Sequence, residues 1–248
     1  MKESPILFSS AMVKAILAGE KTQTRRIIKP QPDDDRIIKV PFAAEYEKDW
    51  HKWAIDTEDG ERILKYSPYG KPGDVLWVKE TFYAFGHWTK ITDNETGKIE
   101  WHFNDLTLDH GFAYHYEDCN PDNIRNKPGY MGWYKRPSLF MPKAAARIWL
   151  RINDVRVERV QSISTANMIK EGVRIPVDAN GCTLWELGKK DSAFSFMSVA
   201  KVIESDIHAR LWSFWAELWC QINGRPSWDA NPWVWVIDFQ RIDKPLNK

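Results

Sequence analysis

One stretch of this chain constrains its fold more than any other. Ile207, Leu211, Trp212, Phe214, Trp215, Leu218, Trp219 and Ile222 recur at helical spacing as one broad apolar stripe, which Gly224 ends. A stripe that wide must be covered, and the remaining apolar residues come in short, strand-like runs. Val75-Leu76-Trp77-Val78 follows the turn signal Pro72-Gly73-Asp74. Ile148, Leu150 and Ile152 alternate, then Val155, Val157 and Val160; the odd step between the two sets predicts a bulge or turn near Asn153-Asp154. Trp233 to Phe239 is a final strand opened by Pro232, and Lys21 to Ile28, rich in β-branched residues, is another. Two short helices complete the pattern. Ser9 or Ser10 caps the first, which stops at Gly19; Ser164 caps the second, Thr165 to Glu171, which stops at Gly172.

Between these blocks the pattern weakens. Residues 33–66 read as a long connection with at most short elements, and 83–135 and 174–204 read as two large insertions. Few helices and several short strands predict an α+β fold, a small β-barrel with flanking helices, spanning 1–248 as one decorated domain.

Charge and cysteine content narrow the function. Thirty-five Lys and Arg stand against 34 Asp and Glu in 248 residues, which weighs against a long electrostatic footprint on nucleic acid. Three scattered cysteines, Cys119, Cys182 and Cys220, make neither a disulfide framework nor a CxxC zinc site. The N-terminus does not read as a signal peptide, and no run of about 18 apolar residues predicts a membrane span. The expectation is a cytoplasmic protein with reduced thiols, no membrane contact and no obligate protein partner. Fourteen tryptophans are the compositional excess. Those on the helical stripe and in strands (Trp77, Trp149, Trp233 and Trp235) read as core; Trp50, Trp53, Trp88, Trp101, Trp133 and Trp185 fall in insertions or connections, where a ring needs a satellite core or a ligand.

The densest polar cluster is Lys21, Thr22, Thr24, Arg25 and Arg26. A hydroxyl beside an amine is a workable nucleophile and base, and neighbouring guanidinium groups push Lys21 towards its neutral form. The same residues also suit a solvated strand edge. In a regular strand Thr22, Thr24 and Arg26 share one face and Lys21 the other, so Lys21 meets a threonine only from the irregular turn after Gly19. Glu171 falls in the last turn of its helix, where the dipole disfavours a carboxylate; it reads either as a general acid or as an ordinary exposed side chain. Asp118 to Asp122 imitates the start of a calcium loop but has Asn123 in place of the turn glycine and Gly129 in place of the closing Glu. His110 and His115 lack a third ligand in register, and neither a glycine-rich phosphate loop nor a nucleophile elbow occurs.

Ile16-Leu17-Ala18-Gly19-Glu20-Lys21-Thr22-Gln23-Thr24-Arg25-Arg26 resembles the opening motif of the ASCH domain, a PUA-like β-barrel. Pro72 to Val78 resembles its second block, and Arg147 to Val160 with Ser164 to Gly172 its central strand and following helix. Ser138 to Pro142 and Asn231 to Val236 are similar to a larger, phage- and prophage-associated type. Some small bacterial members are amidohydrolases of N4-acetylcytidine and related N4-acylated cytosines. The resemblance implies Lys21 as base, Thr24 as nucleophile and Glu171 as proton donor, with no metal and no cofactor. Arg26, Thr22 and Trp77 are the substrate-binding candidates, Arg26 for the oxyanion and a tryptophan for stacking on the pyrimidine. The alternatives are a PUA-like module that binds single-stranded or modified RNA without catalysis, or a phage accessory protein.

Overall fold

The computed structural model describes residues 1–31, 37–38, 52–56, 62–92, 97–174 and 204–245. In chain order the elements are β1 (Glu3–Leu7), α1 (Ser10–Leu17), β2 (Gln23–Ile27), β3 (Ile37–Ile38), β4 (Lys52–Asp56), β5 (Arg62–Tyr66) and β6 (Val75–Lys79). They continue with β7 (Phe82–Thr92), β8 (Ile99–Asp105), β9 (His115–Tyr116), β10 (Ile124–Arg125), β11 (Gly132–Arg136) and β12 (Trp149–Arg159). The last are α2 (Thr165–Lys170), α3 (Glu204–Asn223), α4 (Arg225–Asp229) and β13 (Trp233–Ile242). The fold is mixed α+β, dominated by sheet. The main sheet runs β1-β6-β12-β13-β2, an open path with no closure into a barrel among the described residues.

The chain divides into two compact units: Met1–Ser4, Lys14–Leu76 and Trp149–Lys248 form one, Pro5–Val13 and Trp77–Ile148 the other. In the first, β12 pairs antiparallel with β13, and β13 with β2. The register of β12 slips between Ile152 and Asp154, so the break in apolar alternation is a bulge. Helix α3 lays Leu211, Trp215 and Trp219 against Val160, Ile163, Met168, Val173, Val234 and Val236. Its buried stripe is narrower than the sequence suggests: Trp212, Phe214 and Leu218 are only partly covered, and Ile222 is half exposed. Both core indoles keep a polar partner, Trp215 Nε1 donating to the Val160 carbonyl at 3.2 Å and Trp219 Nε1 to Ser227 Oγ at 3.2 Å. Strands β3, β4 and β5 form a small antiparallel sheet in the stretch read as a connection.

The second unit holds the stretch 83–135. It is not irregular: β7 pairs with β8, β9 and β11, and β10 with β11. Phe82, Ala84, Met141 and Ala145 form its small core. Gly86 explains part of the weak sequence pattern, because a Cβ there would lie 2.0 Å from the Asn104 carbonyl oxygen. Close approach of β8 requires a residue with no side chain, which interrupts the alternation. Residues 175–203, most of the second expected insertion, lie outside the described residues, as do Trp50 and Trp185.

Candidate functional site

The site begins with the way α1 ends. Gly19 takes a left-handed φ of 74° and the amides of Glu20 and Lys21 both turn back to the Ala15 carbonyl, at 2.8 and 3.1 Å. Lys21 therefore stands in the turn, two residues ahead of β2, as a meeting with Thr24 or Glu171 requires. The Thr22 amide donates to the Lys170 carbonyl at 2.9 Å, and the Thr22 carbonyl accepts from Phe239 at 2.9 Å. Thr22 thus ties the start of β2 to the end of α2 through its backbone.

Helix α2 is fixed at both ends. Ser164 Oγ accepts from the Asn167 amide at 3.3 Å. Glu171 is the C-cap, and Gly172 follows at φ 86° with the Lys21 Cβ 3.4 Å from where its own Cβ would stand. This close approach puts Glu171 on Lys21. The Lys21 ammonium donates to Glu171 Oε2 at 2.7 Å and to the Glu171 backbone carbonyl at 2.7 Å. Both side chains are buried, 1 % and 4 % exposed. The unfavourable C-terminal dipole at Glu171 is offset by two cations, because Arg25 Nη1 lies 3.0 Å from Oε1.

Arg25 is the hub of a closed circuit. Nη1 also donates to Gln23 Oε1 at 2.6 Å, and Nη2 to Glu158 Oε2 at 2.8 Å. Gln23 Nε2 donates to Asp238 Oδ1 at 2.7 Å and to Asn167 Oδ1 at 3.2 Å. Arg156 closes the ring, bonding Asp238 through Nη1 and Glu158 Oε1 through Nε at 2.7 Å. The Arg25 guanidinium also lies 5.6 Å from the Trp215 ring centroid. A buried ion pair contributes only when its remaining donors and acceptors are satisfied, and this circuit satisfies most of them.

Two electrostatic consequences follow. Burial drives the Lys21 amine below its ordinary range; Glu171 opposes this, and Arg26 and Arg25 reinforce it. Burial lowers Arg26 as well, offset by Tyr69 and Glu171, and raises Tyr69, offset by Arg26. Lys21 therefore feels guanidinium charge from neighbouring positions on β2, whose side chains alternate from face to face.

Of the sequence candidates, Lys21 and Glu171 are in direct contact and Arg26 stands in their field. Thr24 is buried at 2 % exposure on β2, opposite Ile237, and its hydroxyl has no hydrogen-bond partner among the described residues. Thr22 acts here through its backbone. Trp77 lies nearly buried in the second unit, with the Lys79 ammonium 5.7 Å from its ring centroid. Sequence reasoning missed Gln23 and Glu158 as partners of Arg25, Asp238 as the acceptor for Gln23 and Arg156, and Tyr69 as a group in the field of Arg26. The alternation Gln23, Arg25 on a strand that also carries Thr24 and Arg26 was the available signal. No group of three metal-ligating residues occurs among the described residues. No protein-family profile, curated protein or solved structure matches the chain.

Proposed function

We propose that the protein is an amidohydrolase of N4-acylated cytosine nucleosides, built on a PUA-like, ASCH-type barrel core. The observation that carries the reading is the buried Lys21–Glu171 pair at 2.7 Å, with Lys21 three positions along the chain from Thr24, whose hydroxyl has no partner among the described residues. An amine pushed towards neutrality by burial, an exchangeable proton on its partner and a free hydroxyl are the parts an acyl transfer needs.

The reactive form carries a neutral Lys21 amine and a protonated Glu171, which differs from the ammonium–carboxylate form by one proton moved across the 2.7 Å contact. Thr24 Oγ1 attacks the exocyclic acyl carbonyl as its proton passes to Lys21 Nζ. The tetrahedral oxyanion is stabilised by the Arg26 guanidinium or by backbone N–H groups at the start of β2, an effect worth about 3–4 kcal/mol in acyl-transfer enzymes. Collapse breaks the C–N bond, Glu171 gives its proton to the departing N4, and an acyl-Thr24 ester remains. Water then attacks the ester and gives a proton to Glu171, while the Thr24 oxygen leaves with the proton from Lys21. The carboxylic acid departs and the starting state is restored.

No helix among the described residues is long and apolar enough to cross a membrane. A cytoplasmic setting suits the reading, and Cys119 and Cys220 are free thiols. The test is chromatographic: purified protein incubated with N4-acetylcytidine and longer-chain N4-acylcytidines releases cytidine from at least one of them. No release from any member of the series contradicts the proposal.

A further inference from the structure

In the second unit the face of β7 that carries the core residues Phe82 and Ala84 runs on, past Phe103 at the edge of that core, into a row of half-buried and exposed side chains. Across β7 and β8 the register sets Trp88 opposite Phe103 and Lys90 opposite Trp101. Paired residues of antiparallel strands share a face. Arg136, opposite Phe82 on β7, belongs to the same face by two-residue alternation. Its guanidinium carbon lies 4.6 Å from the Trp88 ring centroid, 4.4 Å from that of Phe103 and 5.1 Å from that of Phe140.

Three rings hold this cation, and no acceptor claims it. Among the described residues Arg136 has neither a hydrogen-bond acceptor nor a carboxylate within 4.0 Å. Asp105, whose field reaches it, is already used. Its Oδ1 accepts from the Thr107 amide at 3.0 Å and hydroxyl at 2.7 Å, and its Oδ2 from the Tyr114 hydroxyl at 3.0 Å. A guanidinium packed against rings, with its N–H fork unclaimed, is prepared for an oxyanion in its own plane.

The flanks repeat the theme. Phe140 is 60 % exposed and Trp101 49 % exposed, so two large rings stand bare on this face. Next to Phe140 the Lys79 ammonium donates to the Leu139 backbone carbonyl, and next to Trp101 stands the exposed Lys90. Cations interleaved with exposed rings match a strand of phosphates and unpaired bases. A short row of this kind is compatible with a chain whose net charge is only +1.

We propose that this sheet face binds single-stranded nucleic acid, with Arg136 taking a backbone phosphate and Trp101 and Phe140 stacking on bases. The site stands apart from the hydrolase reading, since its occupancy is measured without turnover. The test is fluorescence anisotropy of the full chain with labelled oligouridine of about twelve nucleotides, within the usual span of single-strand sites. The expected salt dependence is a log–log slope of about −2, from about 0.7 per phosphate at three cations. Trp101→Ala and Arg136→Gln each weaken binding about tenfold, the loss of one stacked base or one phosphate contact. Lys90→Glu weakens it and flattens the slope by about 0.7 or more. Trp101 and Lys90 are exposed, so those two variants keep the test valid if Arg136→Gln fails to fold. Undetectable oligouridine binding at low salt overturns the proposal, as does affinity that neither Trp101→Ala nor Lys90→Glu changes. Polyglutamate binding that is tighter than oligouridine binding and shows the same variant pattern also overturns it, and assigns the face to an acidic protein.

Discussion

Arg25 and Arg136 both rest on tryptophan rings, and there the likeness ends. Arg25 is wholly buried and spends its guanidinium on Gln23, Glu158 and Glu171. Arg136 is half-buried, faces three rings and meets no carboxylate within ion-pair distance among the described residues. The first arginine is a fixed part of an internal circuit whose geometry positions Lys21 and Glu171. The second has its orientation fixed and its donors unspent. In the first arginine both terminal nitrogens are spent and only the Nε–H lacks a partner among the described residues; in the second the whole fork is open to a ligand.

Breaking the circuit should therefore be costly. Glu171→Ala leaves Lys21 and Arg25 buried without their shared counter-charge, and urea unfolding should show a loss of about 3–5 kcal/mol. Arg25→Met removes charged hydrogen bonds from Glu171 and Glu158 while keeping much of the volume; the expected loss is about 2–3 kcal/mol in the same assay. A loss below about 1 kcal/mol in either variant would show that the circuit is not the cohesive feature described. Gly86→Ala, whose new Cβ would meet the Asn104 carbonyl, should cost about 2 kcal/mol or more and perturb the Trp88–Phe103 environment in near-ultraviolet circular dichroism. Trp215→Phe loses the bond to Val160 and weakens the stack on Arg25, for about 1–2 kcal/mol by thermal melting.

The pH dependence of stability sharpens the same contrast. Lys21 is depressed below its ordinary 10.5 by burial, so the unfolded chain binds its proton more readily than the folded one. Stability should rise with pH between the folded value of Lys21 and about 10.5, and fall as pH drops through that window. Lys21→Met, compared with the parent by urea titration at stepped pH, should remove this slope. A slope that survives the substitution assigns it to another group.

Much of the first unit was legible because its signals are local. The caps at Ser164 and Gly172, the stop at Gly19, the stripe of α3 and the bulge after Ile152 each depend on a few adjacent residues. The Lys21–Glu171 contact spans 150 positions and was reachable only through the resemblance of motif order. The Arg25 circuit was not legible, because register sets Gln23 opposite Asp238 and brings Glu158 within reach from another strand. The second unit was read as an irregular insertion for a related reason. Its β8 is exposed along nearly its whole length, so no buried face imposes an apolar alternation on the sequence. Strand β1 and the short helix α4 have no counterpart among the elements read from the sequence.

Thr24→Ala has the smallest expected effect on stability, since its hydroxyl has no partner among the described residues to lose, and the largest on chemistry. That separation makes it the most direct probe of the central claim. Parent and Thr24→Ala proteins are mixed with N4-acetylcytidine, quenched in acid, and mapped by peptide mass spectrometry alongside cytidine release. The account predicts turnover with an acetyl group on the Thr24 peptide in the parent, and neither in the variant, at unchanged melting temperature. Undiminished cytidine release by Thr24→Ala, or acetylation confined to another residue, would contradict it.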